Sequence, residues 1–202
     1  MKKYTQEELD ECLDNEINLN NCDLRGLDLR EFCLEWADLR GSDLRGAVLF
    51  GVNLTGADLR RADLRETNLT RTNLTLADLG GVNLEGADLA GANFREANLW
   101  GANLRGADLK KVNLTHADLI GTDMQRVDLE NARLTEAILE HSILTGANLT
   151  GANLERSNLY MAYLNGACFR GANLEGSNLI EANLEGSNLT GANFRDSDTY
   201  GS

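Results

Sequence analysis

The feature that most constrains the fold of this chain is a large apolar residue that recurs every five positions without a slip. The series runs from Leu19 to Phe194 through 36 consecutive central positions (i), and all but four of them are leucine. On an α-helix, a step of five turns about 140° beyond a full turn, so the leucines would spread around the whole surface. On a flat strand, an odd step sends successive leucines to opposite faces. Neither element can therefore bury these residues together.

The other positions of each five-residue unit are also regular. Position i−2 is usually a small residue, position i−1 is usually Asp or Asn, and 19 of the 20 glycines lie at i+2. Glycine at i+2 eases a bend, because it adopts backbone conformations that other residues avoid. The absence of proline is typical of a chain whose N–H groups join a ladder between stacked coils. The pattern predicts a coil with positions i−2 and i inside.

The repeated unit A(D/N)LxG resembles the pentapeptide-repeat family over residues 17–198. It is seen in Ala57-Asp58-Leu59, Ala87-Asp88-Leu89 and Gly151-Ala152-Asn153-Leu154. The resemblance implies an all-β fold, a right-handed quadrilateral parallel β-helix (a solenoid) with four pentapeptides per coil. The 36 units would then make about nine coils. We expect a capping helix within residues 1–16, the pentapeptide-repeat β-helix at 17–198, and a C-terminal tail at 199–202.

The N-terminal segment has the signature of a helix start. Thr5 followed by Glu8 forms a capping-box pattern, and Tyr4 and Leu9 are placed for a hydrophobic staple. An apolar face continues through Cys12. The pattern predicts a short helix at residues 6–15 that covers the first coil. The residues of this predicted end cap are Tyr4, Thr5, Glu8, Leu9 and Leu13.

The C-terminal sequence SDTYGS offers no comparable cap. The last coil would therefore be bare, with Leu179, Leu184, Leu189 and Phe194 inside it. An uncovered edge of a stacked fold can pair with another chain. Self-association as a homodimer through this end is a hypothesis that follows from the pattern.

The charge balance limits the kinds of partner. The chain has 32 acidic and 19 basic residues, for a formal net charge of −13. Unaided binding to nucleic acid or to a membrane surface needs a basic excess, so we expect neither. The chain contains no long apolar run, and MKKYTQEELDE lacks the apolar core of a signal peptide. These features predict a soluble, cytoplasmic protein.

No group of reactive side chains converges in the sequence. His116 and His141 are the only histidines, and both lie at i+2 on different faces of a four-sided coil, so they should not share a metal. The repeat spreads the aspartates apart, whereas catalysis needs convergent titratable groups. We predict no enzymatic activity, no cofactor and no metal. The cysteines lack the spacing of a zinc site or a disulfide framework and are expected to be reduced thiols. They are Cys12, Cys22, Cys33 and Cys168.

The segment AILEHSIL (residues 137–144) departs from the pattern, because Ile138 and Ile143 replace the polar residue at i−1 in two successive units. On a four-sided coil, they join other apolar residues in one surface of the C-terminal half. We call this surface the apolar stripe; it comprises Trp100, Ile120, Ile138, Ile143, Tyr160, Met161, Tyr163 and Ile180. Aromatic residues with Met and Ile are typical of interface cores, and contiguous apolar patches mark interaction sites. We interpret the stripe as a partner-binding surface; drift at tolerant surface positions is the alternative.

Two functions fit these observations. The first is a non-catalytic, rod-shaped scaffold that uses the apolar stripe for self-association or for binding a protein partner. The second comes from the resemblance, because some pentapeptide-repeat proteins mimic DNA, bind DNA gyrase or topoisomerase IV and protect against quinolones. That branch generally has more phenylalanine at the centre, loops that break the register and a C-terminal dimerising element. This chain shows none of these features, so the scaffold is the preferred hypothesis.

Overall fold

The computed structural model describes residues 1–10 and 18–202. Parallel β-bridges join residues that are 20 apart, such as Asp58 with Asp78 and Ile138 with Asn158. Four pentapeptides therefore complete one coil, and residues 20 apart stack in a column. This register agrees with the four-sided repeat that the family resemblance implies.

Among the described residues, three elements of regular secondary structure lie at the N-terminal end. Strand β1 spans Lys2–Lys3, helix α1 spans Gln6–Asp10, and strand β2 spans Cys22–Asp23. Strand β1 pairs in parallel with β2, so that Lys2 lies opposite Cys22. Beyond β2, the pairing continues as single bridges, one for each pentapeptide except that of Cys33. Each side of the coil is extended over a few residues before the chain turns.

The core is filled from two positions of every unit. The central residues are buried, from Leu19 through Leu179, together with the small residues at i−2 such as Ala102. Where i−2 is serine or threonine, the hydroxyl group can bond to a backbone carbonyl: Ser42 Oγ donates to the carbonyl of Leu39 at 2.7 Å. Such a bond meets the requirement that a buried polar group finds a partner. The predicted division into inward and outward positions is therefore correct.

In the interior coils, the backbone ladder typically uses four of the five N–H groups of a unit. In one repeat, the N–H of Leu54 donates to Asn73 of the next coil at 2.7 Å, and that of Gly56 donates to Thr75 at 2.9 Å. The N–H of Ala57 closes the turn onto Leu54 at 3.0 Å, and the N–H at i−1 donates to the preceding coil. Within the described residues, the N–H at i+1 has no backbone acceptor. It needs a side-chain partner.

The Asp or Asn at i−1 supplies that partner. Its Oδ1 accepts the N–H of the residue two positions later, as Asn53 does for Thr55 at 3.2 Å and Asp118 does for Ile120 at 3.0 Å. The same bond forms throughout the described part of the repeat wherever i−1 is Asp or Asn. The conserved spacing of the polar residue thus has a structural cause, since short carboxylate and amide side chains bond readily to the backbone two residues on.

One column at i−1 contains no aspartate: apart from Cys33 and Arg133 it is asparagine, whereas the other three columns contain both aspartate and asparagine. Its amides form a ladder between coils: Asn73 Nδ2 donates to Asn53 Oδ1 at 3.2 Å, and Asn113 Nδ2 donates to Asn93 Oδ1 at 2.9 Å. An ionised aspartate could accept in such a ladder but could not donate. The need for both functions in one side chain accounts for the asparagine.

The turn at i+2 requires a positive φ. Gly56 has a φ of 65°, and non-glycine residues such as Leu76 (61°) adopt the same conformation. Gly56 has a second role, because a Cβ there would overlap the indole of Trp36 in the preceding coil. The glycine preference at i+2 therefore reflects backbone conformation everywhere and close packing at a few units.

The N-terminal edge is covered by several contacts. Thr5 and Glu8 bond reciprocally, with the Thr5 N–H donating to Glu8 Oε2 at 2.8 Å and the Glu8 N–H donating to Thr5 Oγ1 at 3.2 Å. Tyr4 and Leu9 are buried in the core. Helix α1 covers the first part of the predicted helix at 6–15. Its remainder, with Cys12 and Leu13, lies outside the described residues.

Gln6 makes a contact that the sequence pattern did not predict. Its Nε2 donates to the carbonyl of Asp28 at 3.0 Å, and its Oε1 accepts the Asp28 N–H at 2.9 Å. The carboxamide thereby takes both bonds that a preceding coil would make with the first one. Together with strand β1, it satisfies part of the exposed edge.

The C-terminal edge differs. Leu179 is buried, but Leu184 and Phe194 are half-buried and Leu189 is 38% exposed. In the described part of the chain, no later coil accepts the N–H groups of Leu184, Leu189 and Phe194. An open edge with apolar residues behind it is the arrangement that sheet proteins usually cover.

Candidate interaction surface

The described residues do not bring together a metal site or a catalytic cluster. No group of three or more His, Cys, Asp or Glu side chains in that part of the chain is placed to hold a metal ion. His116 lies 3.4 Å from Glu136, whereas the ring of His141 packs edge-on against Tyr160 at 5.9 Å. Cys22, Cys33 and Cys168 are free thiols, and Cys12 lies outside the described residues. No helix among the described residues has the length and apolarity to cross a membrane.

The apolar stripe lies at the surface, but its residues differ in exposure. Trp100 is 61% exposed, Tyr163 is 52% exposed and Ile138 is 37% exposed. The rest are half-buried: Ile120, Ile143, Tyr160, Met161 and Ile180. The stripe therefore consists of three prominent side chains set among others that are already packed against the coil.

Column stacking brings the members of the stripe together. Ile143 and Tyr163 are bridge partners in adjacent coils, and Ile138 stacks between Asp118 and Asn158. In the i+1 column, Glu140 interrupts the apolar residues; its carboxylate accepts Asn158 Nδ2 at 2.6 Å. This bond holds the Glu140 carboxylate against the neighbouring coil.

The stripe also breaks the hydrogen-bonding rule of the fold. Because Ile138, Ile143 and Tyr163 have no acceptor, the N–H groups of Glu140, Thr145 and Asn165 have no protein partner among the described residues. A missing hydrogen bond of this kind is worth about 0.5–1.5 kcal/mol. Only seven positions at i−1 lack Asp or Asn, and five of them lie within residues 133–168. Departures from a local rule that cluster in this way are expected at functional sites.

Other exposed apolar residues escaped the sequence reasoning. Tyr200 is 81% exposed and continues the column of Tyr160 and Ile180 toward the C-terminus. Its spacing of 20 residues from Ile180 was the signal that could have identified it. Trp36, Phe50 and Leu76 are exposed in the N-terminal half, on other columns.

The N-terminal half has a charged surface of a different kind. Six arginines at i+1 each bond to the aspartate two residues earlier, as Arg45 does to Asp43 with Nε at 2.9 Å and Nη2 at 2.6 Å. The six pairs are Asp23–Arg25, Asp28–Arg30, Asp38–Arg40, Asp43–Arg45, Asp58–Arg60 and Asp63–Arg65. We call these pairs the arginine clamps. They neutralise carboxylates over much of this surface.

The arginine clamps predict a stability that depends on pH. The guanidinium of Arg30 lowers the pKa of Asp28 to about 2, and the pKa values of the other five aspartates are also lowered by their arginine partners. Because the unfolded carboxyl has a pKa of about 3.9, the clamps stabilise the fold fully above that pH, and the stabilisation is lost as the pH falls toward 2. Urea unfolding at pH 7, 4 and 2.5 measures this loss. The Arg45→Gln/Arg65→Gln variant should lose less stability over this range; an identical pH dependence would contradict the role of the clamps.

Comparison with known proteins places the chain in a family. The model of pentapeptide repeats matches residues 15–46, 47–86, 87–126, 122–159 and 158–196. The chain belongs to the pentapeptide repeat family, as its repeated unit predicted. Comparison with curated proteins gives no match.

Two solved structures are similar over nearly the whole chain. HetL, a pentapeptide repeat protein involved in heterocyst differentiation regulation from the cyanobacterium Nostoc sp. strain PCC 7120, is 33% identical, with 95% of this chain and 93% of that chain covered and a TM-score of 0.61. A trypsin-treated variant of QnrB1, a plasmid-mediated fluoroquinolone resistance protein, is 18% identical, with 98% and 89% covered and a TM-score of 0.52. The likeness to QnrB1 is one of fold alone.

Proposed function

We propose that this chain is a non-catalytic, rod-shaped scaffold whose apolar stripe binds a protein surface, either a second copy of the chain or a different protein. The observation that carries the proposal is the substitution of Ile138, Ile143 and Tyr163 at positions where the fold prefers a hydrogen-bonding residue. The pentapeptide core tolerates the change, because the central residues Leu139 and Leu144 remain fully buried. The apolar residues at i−1 therefore change the outside of the coil and leave its core intact.

The chemistry of the stripe supports a protein partner. Trp100 and Tyr163 present large aromatic surfaces, and residues of this type supply most of the binding energy at interfaces. The neighbouring half-buried residues Ile120 and Ile180 provide a packed apolar background that needs little reordering on binding. HetL, the 33% identical relative, is involved in regulation of heterocyst differentiation. A regulatory role through binding is compatible with a rod of this kind.

DNA mimicry has weaker support. The net charge of −13 favours it, but the arginine clamps neutralise six aspartates in the N-terminal half. An anionic surface that imitates the phosphates of DNA would have to be continuous. Binding of DNA gyrase or topoisomerase IV therefore stays the second hypothesis.

Photo-crosslinking tests the proposed surface. A benzoylphenylalanine residue at position 163 should form an adduct with a bound protein on irradiation of cells that express the variant, because Tyr163 is a stripe residue that is 52% exposed. Phe50 is the matched control, since it is an aromatic residue of similar exposure (46%) outside the stripe. Adducts from position 163 that are absent from position 50 would support the proposal.

A third position separates the two routes to self-association. Leu189 lies in the open C-terminal coil, so an adduct between two copies formed from position 189 alone would assign dimerisation to that end. No adduct from position 163, or the same adducts from positions 163 and 50, would contradict binding by the stripe.

A further inference from the structure

The arginine clamps show how this surface holds a guanidinium group. Asp43 accepts two hydrogen bonds from Arg45 in its own unit, and its Oδ2 lies 3.6 Å from Nε of Arg25 in the preceding coil. Asp58 repeats the arrangement with Arg60 in its own unit and Arg40 in the coil before. Each aspartate can thus receive two guanidinium groups, one from its own unit and one from the preceding coil.

Asp78 has only one of these two partners. Nε of Arg60 lies 3.4 Å from its Oδ2, which is the contact from the preceding coil. In an arginine clamp, the arginine lies at i+1, two residues after the aspartate. In the unit of Asp78 this position is Gly80, which has no side chain. The Oδ1 atom is used by the Gly80 N–H at 3.1 Å and by Asn98 Nδ2 at 3.0 Å. The Asp78 side chain is 37% exposed, and its Oδ1 would lie 3.3 Å from a Cβ at position 80.

The gap forms an open depression of about 570 Å³. Gly80 and Gly81 line it beside Asp78, Trp100 borders it in the following coil, and the depression extends along the preceding coils past Arg60, Arg61 and Arg40. Since stacked coils lie roughly 4.8 Å apart, a planar group in this column would lie about 4.8 Å from both neighbours. That separation is within the range in which a guanidinium is attracted to the face of an indole.

We propose that this depression, which we call the Gly80 site, binds an arginine side chain of a partner protein. The guanidinium would bond to Asp78 and stack under Trp100, in the place that arginine takes in the preceding coil at position 60. Arg60 does not prevent this, because the arginines at positions 40 and 60 already occupy successive coils of this column and both contact the Asp58 carboxylate. The net charge of −13 also favours a basic partner. Lysine would fit less well, since it neither bonds in a fork nor stacks.

The proposal deepens the proposed function, since Trp100 belongs to the apolar stripe as well. Arginine binding at the Gly80 site and protein binding by the apolar stripe can nevertheless be tested separately. A substitution at Gly80 leaves the stripe residues unchanged, and substitutions at Ile138, Ile143 and Tyr163 leave Asp78 and Gly80 unchanged.

Nuclear magnetic resonance titration with N-acetyl-arginine methylamide tests the Gly80 site. The chain has two tryptophans, so the indole N–H signal of Trp100 should shift saturably while that of Trp36 serves as the internal control. N-acetyl-lysine methylamide should bind at least about threefold more weakly, because it loses the stacking contact. Equal shifts of both indole signals, equal affinity for the two probes, or no saturable shift would overturn the proposal.

Two variants make the test specific. In Gly80→Arg, the new arginine should form a clamp with Asp78 and occupy the site. The saturable shift of the Trp100 signal should therefore be abolished. The variant is expected to fold, because six other units carry arginine at the same position after aspartate and Gly80 does not have a positive φ. Ala90→Arg is the matched control: it places arginine after Asp88 in another column, and binding should be unchanged. Retained binding in Gly80→Arg, or equal loss in both variants, would overturn the proposal.

Discussion

Replacing Phe94 by alanine is expected to lower the free energy of unfolding by about 3–5 kcal/mol, the range for large-to-small substitutions of buried aromatic residues. Phe94 is fully buried in the middle of the stack, with coils on both sides to hold the cavity open. Urea unfolding monitored by circular dichroism measures the loss.

Phe194→Ala is the matched control for this prediction. Phe194 occupies the same column in the last coil, where it is half-buried and has no later coil above it among the described residues. Its replacement should cost under about 2 kcal/mol, because the edge can collapse around the lost ring and already exposes part of it. Equal losses for the two variants would show that the core does not support itself by stacking between neighbouring coils.

The Ile138→Asn/Ile143→Asn/Tyr163→Asn variant is expected to lose binding by the stripe while it keeps the fold. Asparagine is the residue that the repeat uses at this position, and it would supply the missing acceptor for the N–H groups of the residues two positions later. Each restored bond contributes about 0.5–1.5 kcal/mol, which offsets the loss of partly buried apolar surface. The free energy of unfolding should therefore change by less than about 1.5 kcal/mol.

Amide hydrogen exchange provides the local readout for this variant. Exchange at Glu140, Thr145 and Asn165 should slow, because their N–H groups gain an acceptor. Val48→Asn is the control, since Val48 is 37% exposed, lies at i−1 outside the stripe and should gain the same protection without any effect on binding. Unchanged exchange at these amides would mean that asparagine does not bond there as it does elsewhere in the repeat.

The period of five was sufficient to predict the coil and its interior. A step of five excludes both helix and flat strand, and the positions that the pattern placed inside are the buried ones. The four-sided register came from the family resemblance, because the period alone does not determine how many bends close one coil. Helix α1, Gln6–Asp10, agrees with the first part of the helix predicted at 6–15, and the rest of that prediction lies outside the described residues.

Contacts between distant residues could not be predicted from the repeat. The bonds of Gln6 to Asp28 join residues 22 apart, and neither the helix signal nor the five-residue period refers to such a pair. The sequence also did not predict that Asp or Asn at i−1 accepts the N–H at i+1. This role depends on which N–H group has no acceptor in the backbone ladder. The Gly80 site is formed by residues of three adjacent coils, with Arg60 on one side and Trp100 on the other. The five-residue pattern of a single unit does not contain this arrangement.

The sequence spacing identified the columns of the apolar stripe, but it did not predict how exposed each side chain is. The spacing of 20 residues placed Ile120 and Ile180 in the same column as Trp100. The structure shows that Trp100 stands out from the surface while the two isoleucines are half-buried. The neighbour of Trp100 in the preceding coil is Gly80, which has no side chain to pack against the indole.

The most direct test of the interaction surface is the dissociation constant for the protein that crosslinks at position 163. It should be measured with the wild-type chain and with the Ile138→Asn/Ile143→Asn/Tyr163→Asn variant. We predict that the variant binds at least tenfold more weakly, which corresponds to a loss of about 1.4 kcal/mol or more. The Val48→Asn control should bind as the wild type does. A variant that folds normally and binds with an unchanged dissociation constant would contradict the proposed function of the stripe.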